Sequence, residues 1–258
     1  MIGVIYGVVI FIATFLGACA GLGGGVIIKP VLDFIGAHDL ATISFLSTGA
    51  VFTMAVYSTI KQIRNKVKFD FIMIVLVAIG AIVGGNIGSN VFNMLLNIMD
   101  ESLIKCAQAI ILAALLIVVL ININTSHKNL EVKNRFVILI IGFSLGFISS
   151  FLGIGGGPIN VAVFVFFFNI DMKNATVYSI ATILFSQASK LVTIGLNGGF
   201  MKYDLSLLLF ALPAAILGGI VGTAVNHRSD KKIITMIFNV SVFMIILLNV
   251  YNAVNAII

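Results

Sequence analysis

The sequence predicts an all-α polytopic membrane protein made of two homologous halves. Three observations carry this: the scarcity of charge, a series of apolar blocks of crossing length, and a glycine-rich cluster repeated early in each half. Charged residues make up 9% of the 258 residues against 60% hydrophobic, with a mean hydropathy of +1.20. Such a chain has too little polar surface to cover a water-soluble globule, so a bilayer is its natural solvent.

Charges bound eight apolar blocks, at roughly 2–35, 40–60, 69–92, 103–122, 136–170, 173–196, 203–225 and 233–257. A helix needs about 20 apolar residues to cross about 30 Å of hydrocarbon, and six of the blocks have that length. The first and fifth are too long, since a continuous helix over either would run about 50 Å at 1.5 Å per residue. Each contains a cluster near its middle: Gly21-Leu22-Gly23-Gly24-Gly25 in the first, Gly153-Ile154-Gly155-Gly156-Gly157 in the fifth. The expectation is that these two blocks are broken helices.

The clusters also expose a duplication. Gly21 to Gly153 is an offset of 132, shared by Phe15-Leu16 and Phe147-Ile148. Ala41-Thr42 and Ala175-Thr176, Thr48 and Thr182, Lys68 and Asp70 with Lys202 and Asp204, and Gly84-Gly85 and Gly88 with Gly218-Gly219 and Gly222 all stand at 134. A two-residue insertion accounts for the change. Internal repeats of this kind are common among secondary transporters. The chain divides into a first membrane repeat at 1–125, a basic linker at 126–135 and a second repeat at 136–258.

The net charge of +6 does not point to nucleic acid, because Lys and Arg fall almost wholly in short loops between apolar blocks. This is the positive-inside pattern. Cys19 and Cys106 both lie in apolar segments and read as small core residues. Leu16-Gly17-Ala18-Cys19 loosely resembles a lipoprotein cleavage site, yet no basic region precedes Ile2 and cleavage would remove part of a repeat. The first block is therefore expected in the mature protein.

With paired Gly-x-Gly-Gly-Gly clusters early in each half of a compact apolar chain, the sequence resembles the TauE/SafE-type permeases, the sulfite and organosulfonate exporter family. The resemblance covers essentially the whole chain. It implies passage of sulfite, sulfoacetate or a related small anion without ATP hydrolysis. One departure is Pro158, which directly follows the second cluster, whereas Pro30 stands five residues after Gly25. The two half-sites cannot be identical.

Non-helical backbone is tolerated at membrane depth only inside protein or along a watery cavity. Two glycine breaks therefore mark a candidate cavity, with Gly23, Gly24 and Gly25 on one side and Gly155, Gly156 and Gly157 on the other. Glycine allows positive φ and close approach of a ligand. The N–H groups opening the next helix carry partial positive charge and suit an anion. Pro158 fits such a first turn, where its missing N–H is not needed. The competing reading is close helix packing through small residues.

Ionisable groups within apolar blocks are functional candidates by default. Lys29 and Lys190 could each neutralise a bound anion, although a lysine near a helix end can also snorkel to the interface. Thr48, Asn86, Asn160, Thr182 and Gln187 could donate hydrogen bonds to sulfonate oxygens, or bond between helices. Asp33 could pair with Lys29 at i+4. His38, His127 and His227 fall in expected loops and are assigned no proton-relay role.

No Walker A motif, His-Glu-x-x-His or paired catalytic carboxylates occur, and the glycine clusters lack the strand-then-helix context of dinucleotide binding. No cofactor and no metal are expected, and an enzyme is disfavoured. The leading expectation is a secondary carrier in the bacterial inner membrane, with a small anion and the bilayer as partners and a homodimer left open. An anion channel and a membrane-embedded enzyme or assembly factor are the alternatives. For topology, Lys61, Arg64, Lys66 and Lys68, then Lys128, Lys133 and Arg135, then Arg228, Lys231 and Lys232 can all be cytoplasmic only if the fifth block, and by repeat the first, enters and returns. The halves would then be inverted repeats.

Overall fold

The computed structural model describes residues 2–67, 70–125, 130–196 and 199–255. The expectations at Lys68 and at residues 126–129 of the linker, with His127 and Lys128, lie outside these residues. Ten helices of eleven or more residues make up the described chain: α1 Ile2–Ala20, α2 Gly25–Ile35, α3 Leu40–Arg64, α4 Phe71–Leu96, α5 Glu101–Asn124, α6 Arg135–Leu152, α7 Gly157–Phe168, α8 Met172–Leu196, α9 Leu208–Arg228 and α10 Lys231–Asn255. No strand occurs among the described residues. Eight helices are long and apolar enough to cross a membrane, α2 and α7 being the short ones. The protein is an all-α polytopic membrane protein.

Both over-long blocks are broken at their glycines. Gly21, Gly23 and Gly24 have φ of +74°, +77° and +74°, and Gly153, Gly155 and Gly156 +69°, +77° and +69°. In this left-handed region a side chain is strained, so only glycine passes freely. The positive φ values turn the chain back on itself: a Cβ on Gly17 would strike the backbone of Gly24, and one on Gly156 would strike the Ser149 side chain. The far ends agree, since Tyr6 Oη, near the start of α1, lies 2.9 Å from His38 Nδ1, just past α2. Before α6, Leu130 N and Val132 N donate to Phe166 O and Phe167 O at the end of α7, at 2.8 and 2.9 Å. Each block thus enters and returns.

The long helices begin at polar caps. Asp70 accepts from Ile72 N and Met73 N at 2.9 and 3.1 Å, Asp39 from Thr42 N at 3.4 Å and Asn134 from Phe136 N at 2.9 Å. These caps satisfy N–H groups that a helix start leaves open.

The two halves interlock by exchange. α4 lies along α6, where a Cβ on Gly80, Gly84 or Gly88 would meet the backbone of Leu139, Phe143 or Phe147, and one on Gly142 or Gly146 that of Val77 or Ala81. α9 lies along α1 in the same way, with Gly218 and Gly222 against the backbone of Phe11 and Phe15. Small residues let helix backbones approach closely where lipid offers no hydrophobic drive for association. The outward faces keep large apolar side chains such as Ile79, Val83, Ile110, Leu217 and Met244, as a lipid-facing surface requires.

Lys61, Arg64, Lys66, Lys133, Arg135, Lys173, Arg228, Lys231 and Lys232 gather at one end of the bundle, hereafter the basic face. There Lys173 Nζ donates to His227 O at 3.1 Å and Ser229 O at 2.9 Å, tying the start of α8 to the end of α9. At the opposite face Leu40 N donates to Glu101 Oε1 at 2.9 Å, and Phe45 stacks on Tyr203 with ring centroids 4.4 Å apart.

Candidate anion site

The starts of α2 and α7 abut one another inside the bundle. A Cβ on Gly25 would collide with the Ile154 carbonyl and come within 3.1 Å of Ser47 Oγ, and one on Gly157 would collide with the Leu22 carbonyl. Gly25 and Gly157, like Leu22 and Ile154, stand 132 apart, so the two contacts are counterparts. Neither helix start tolerates more than a hydrogen atom there. Ser179 Oγ braces the crossing, 2.7 Å from Gly21 O and 3.2 Å from Gly157 O. Because a helix N-terminus carries about +0.5 charge, two of them meeting inside the bundle make the region between α2 and α7 electropositive.

Two buried lysines add to it. Lys29 on α2 is 4% exposed and Lys190 on α8 is 5% exposed. Lys29 Nζ donates to Gln108 Oε1 and to Leu152 O, the latter at 2.6 Å, and sits 5.8 Å from the centroid of the Phe92 ring. Lys190 Nζ donates to Ser44 Oγ at 2.8 Å. Gly153 lies beside Lys29 and beside the partner of Lys190: an added Cβ there would be 3.4 Å from Lys29 Nζ and 3.0 Å from Ser44 Oγ. The second break is thus reached by Lys29 directly and by Lys190 through Ser44. A charge costs too much in hydrocarbon to be placed so without a use or a partner.

Each lysine lines its own cavity. The first, of about 250 Å³, is bounded by Lys29, Asp33, Lys105, Gln108, Asn249 and Asn252 among others. The second, of about 340 Å³, is bounded by Ser44, Phe92, Asn93, Lys190, Lys202 and Tyr203 among others. Both reach towards the face opposite the basic one, where α5 begins and α8 and α10 end. Towards the basic face the space around α7 is filled by apolar packing that includes Leu22, Val161, Phe164, Tyr178, Phe238 and Val242.

The remaining candidates divide. Gly155 brings its α-carbon face to Gln187, whose Nε2 lies 3.4 Å from the position of an added Cβ; Gln187 is 3% exposed and that nitrogen has no partner. Asn160 is 1% exposed with Oδ1 unpartnered, 3.3 Å from the Cβ position of Gly156. An unpartnered buried amide is where a ligand group can be received. Gly23 packs on Ile183 and Gly24 on the Ala13 carbonyl, so these two shape the turn. Thr48 and Thr182 donate within their own helices, to Ser44 O at 2.7 Å and Tyr178 O at 3.0 Å. Asn86 accepts from Thr193 Oγ1 at 2.7 Å. Ser44, Gln108 and Phe92 escape the sequence reading. Gln108, a polar residue in the middle of the apolar block 103–122, is the one with a visible signal.

Comparison with known proteins fits this architecture. The chain is similar to the probable membrane transporter protein YunE of Bacillus subtilis (strain 168), at 26% identity over 268 aligned residues spanning 91% of this chain and 92% of that protein. It is also similar to the probable membrane transporter protein YjnA of the same organism, at 25% identity over 247 residues spanning 87% of this chain and 91% of that protein. No solved structure matches it. The model of the family described as sulfite exporter TauE/SafE matches residues 6–249, almost the whole chain. With its two glycine-broken helices placed against one another in an all-α membrane bundle, the chain belongs to the sulfite exporter TauE/SafE family.

Proposed function

We propose that this membrane transporter is a secondary carrier of a small sulfur-containing anion, sulfite, sulfoacetate or a related organosulfonate, held between the two glycine breaks near the midplane. The observation that carries the reading is the pair of buried lysines at the second break, Lys29 beside Gly153 and Lys190 joined to it through Ser44, near the abutting N-termini of α2 and α7. The oxygens of a sulfite or sulfonate group there would replace Ser44 and the Leu152 carbonyl as partners of the ammonium groups. It would also meet the free Nε2 of Gln187. Charge-assisted hydrogen bonds of this kind are short and strong, which suits recognition of sulfonate oxygens.

The membrane frame follows from the charges. The basic face is cytoplasmic by the positive-inside rule, so both cavities open away from the cytoplasm. Each half contributes one returning block and three crossings, an odd number, which makes the halves inverted repeats about an axis in the membrane plane. Broken helices meeting at the midplane of such repeats are a recurring carrier design. Apolar packing around α7 closes the cytoplasmic route, so alternating access would open that packing while closing the two cavities.

Flux into proteoliposomes tests the reading, with sulfite, thiosulfate, sulfoacetate, sulfate and carboxylates as the panel. Saturable uptake of a sulfur-containing anion with counterflow is the expected result. Linear, non-saturating flux without counterflow would indicate a channel, and preference for carboxylates would overturn the substrate class.

A further inference from the structure

We propose that Asp33 is the proton-carrying group of the transport cycle, exchanging a proton for its charge each time an anion occupies Lys29. The proposal rests on the carrier reading above.

The acidic residues other than Asp33 stand at helix starts or in connections. Of the nine in the chain, Asp39, Asp70, Asp171 and Asp204 accept from backbone N–H groups two or three residues further on. Asp100 and Asp230 stand just before α5 and α10, at the ends of the bundle. Glu101 pairs with Lys105 at 2.9 Å and Glu131 with Lys133 at 3.4 Å. Asp33 has no such task. It lies inside α2, lines the Lys29 cavity, and its Oδ1 is shielded and without a hydrogen-bond partner.

The matching helix of the second half does without it. α2 and α7 begin at Gly25 and Gly157, so Lys29 and Asp33 correspond to Val161 and Val165. Both charged positions are valine in a helix of the same place and similar length. Both positions are charged only in α2, the helix that borders the first cavity.

The groups facing Asp33 are few. Lys29 shares its helix, Tyr6 faces it from α1, and Lys105 and Glu101 face it from α5. α10 brings Asn249, Asn252 and Asn255, with Tyr251 against Phe34, and α7 has no ionisable residue. α3 keeps Tyr57, Lys61 and Arg64 towards the basic face, while His38 and Asp39 precede it. In the empty site the carboxylate is the nearest countercharge on the Lys29 helix. When an anion docks on Lys29, two negative charges share one poorly hydrated cavity, and the carboxylate takes a proton from water in the cavity to become neutral. After reorientation the anion leaves, Lys29 again needs a countercharge, and the carboxyl releases its proton on the other side. Anion and proton therefore travel in the same direction, and no other reactant is consumed.

The test uses proteoliposomes holding the full chain and an entrapped pH dye, with sulfite, thiosulfate and sulfoacetate as probes. Addition of the fastest probe outside should acidify the lumen in step with uptake, and uptake should fall with rising pH by up to about tenfold per unit, as for one titrating proton. In Asp33→Asn, remaining uptake should carry no protons and lose its pH dependence; Asp33→Glu should restore both. Probe uptake in the wild type without a dye response, or proton-linked uptake in Asp33→Asn, would overturn the proposal and leave the carrier reading intact. Absence of counterflow for every probe in the wild type would overturn the carrier reading and this one with it. Should Asp33→Asn fail to fold, the wild-type dye response and Asp33→Glu still decide.

Discussion

At the residue scale, the candidate site gathers polar groups that the bilayer penalises. Lys29 is the clearest case, since its ammonium is held by one side-chain amide and one carbonyl and faces an open cavity. Replacement by glutamine keeps much of the side-chain volume and removes the charge. Lys29→Gln should therefore weaken anion binding by about 1–3 kcal/mol, the range for a lost hydrogen bond to a charged group. The dissociation constant measured by calorimetry on the purified protein checks this, and an unchanged value would make Lys29 a structural bridge between α2, α5 and α6. The contrast with Thr48 and Thr182 is instructive. Both look like ligand donors in a list of polar residues, yet their hydroxyls are committed to carbonyls one turn back.

At the element scale, the exchange of helices between halves depends on glycine. α4 and α6 touch through backbone at Gly84, where an added Cβ would run into Phe143 O, and α9 and α1 do so at Gly222 against Phe15 O. Neither backbone can retreat without separating its helices. Gly84→Ala should thus destabilise the protein by about 1–3 kcal/mol through overpacking, read as a lower midpoint of thermal unfolding in detergent. Gly7→Ala is the control. Its Cβ would find Phe210 at 3.7 Å, an ordinary contact, so the substitution should be neutral or stabilise by up to about 1 kcal/mol through reduced backbone entropy. Equal losses in the two variants would mean that the α4–α6 seam is looser than described.

At the scale of the whole molecule, the returning blocks set the orientation of everything after them. Thr125 at the end of α5 and Ser229 at the end of α9 lie at the basic face, while Ser102 opens α5 at the other. With Cys19 and Cys106 replaced by alanine, cysteines at 125 and 229 should react with an impermeant maleimide only from the cytoplasmic side, and a cysteine at 102 only from outside. Labelling of 125 and 229 from opposite sides would refute the inverted arrangement, because it requires an even number of net crossings between them.

The class of the protein was legible because composition and crossing length are one-dimensional properties. Hydrophobic solvent leaves few structures available, so 60% apolar residues in blocks of helix length already meant a helical bundle. The two breaks were legible too, since only a run of glycines in an over-long apolar block explains itself as a turn. The sequence could not show which residues meet across it. Ser44, Gln108 and Phe92 belong to three different helices, and nothing in their local pattern places them around Lys29 and Lys190. Nor could spacing along α2 tell whether Lys29 would turn to Asp33, four residues on, or to Gln108 and Leu152, far away in the chain. Local periodicity is written residue by residue, but the surroundings of Lys29 and Lys190 are contacts between distant helices, and only the packing of their backbones on glycine decides them.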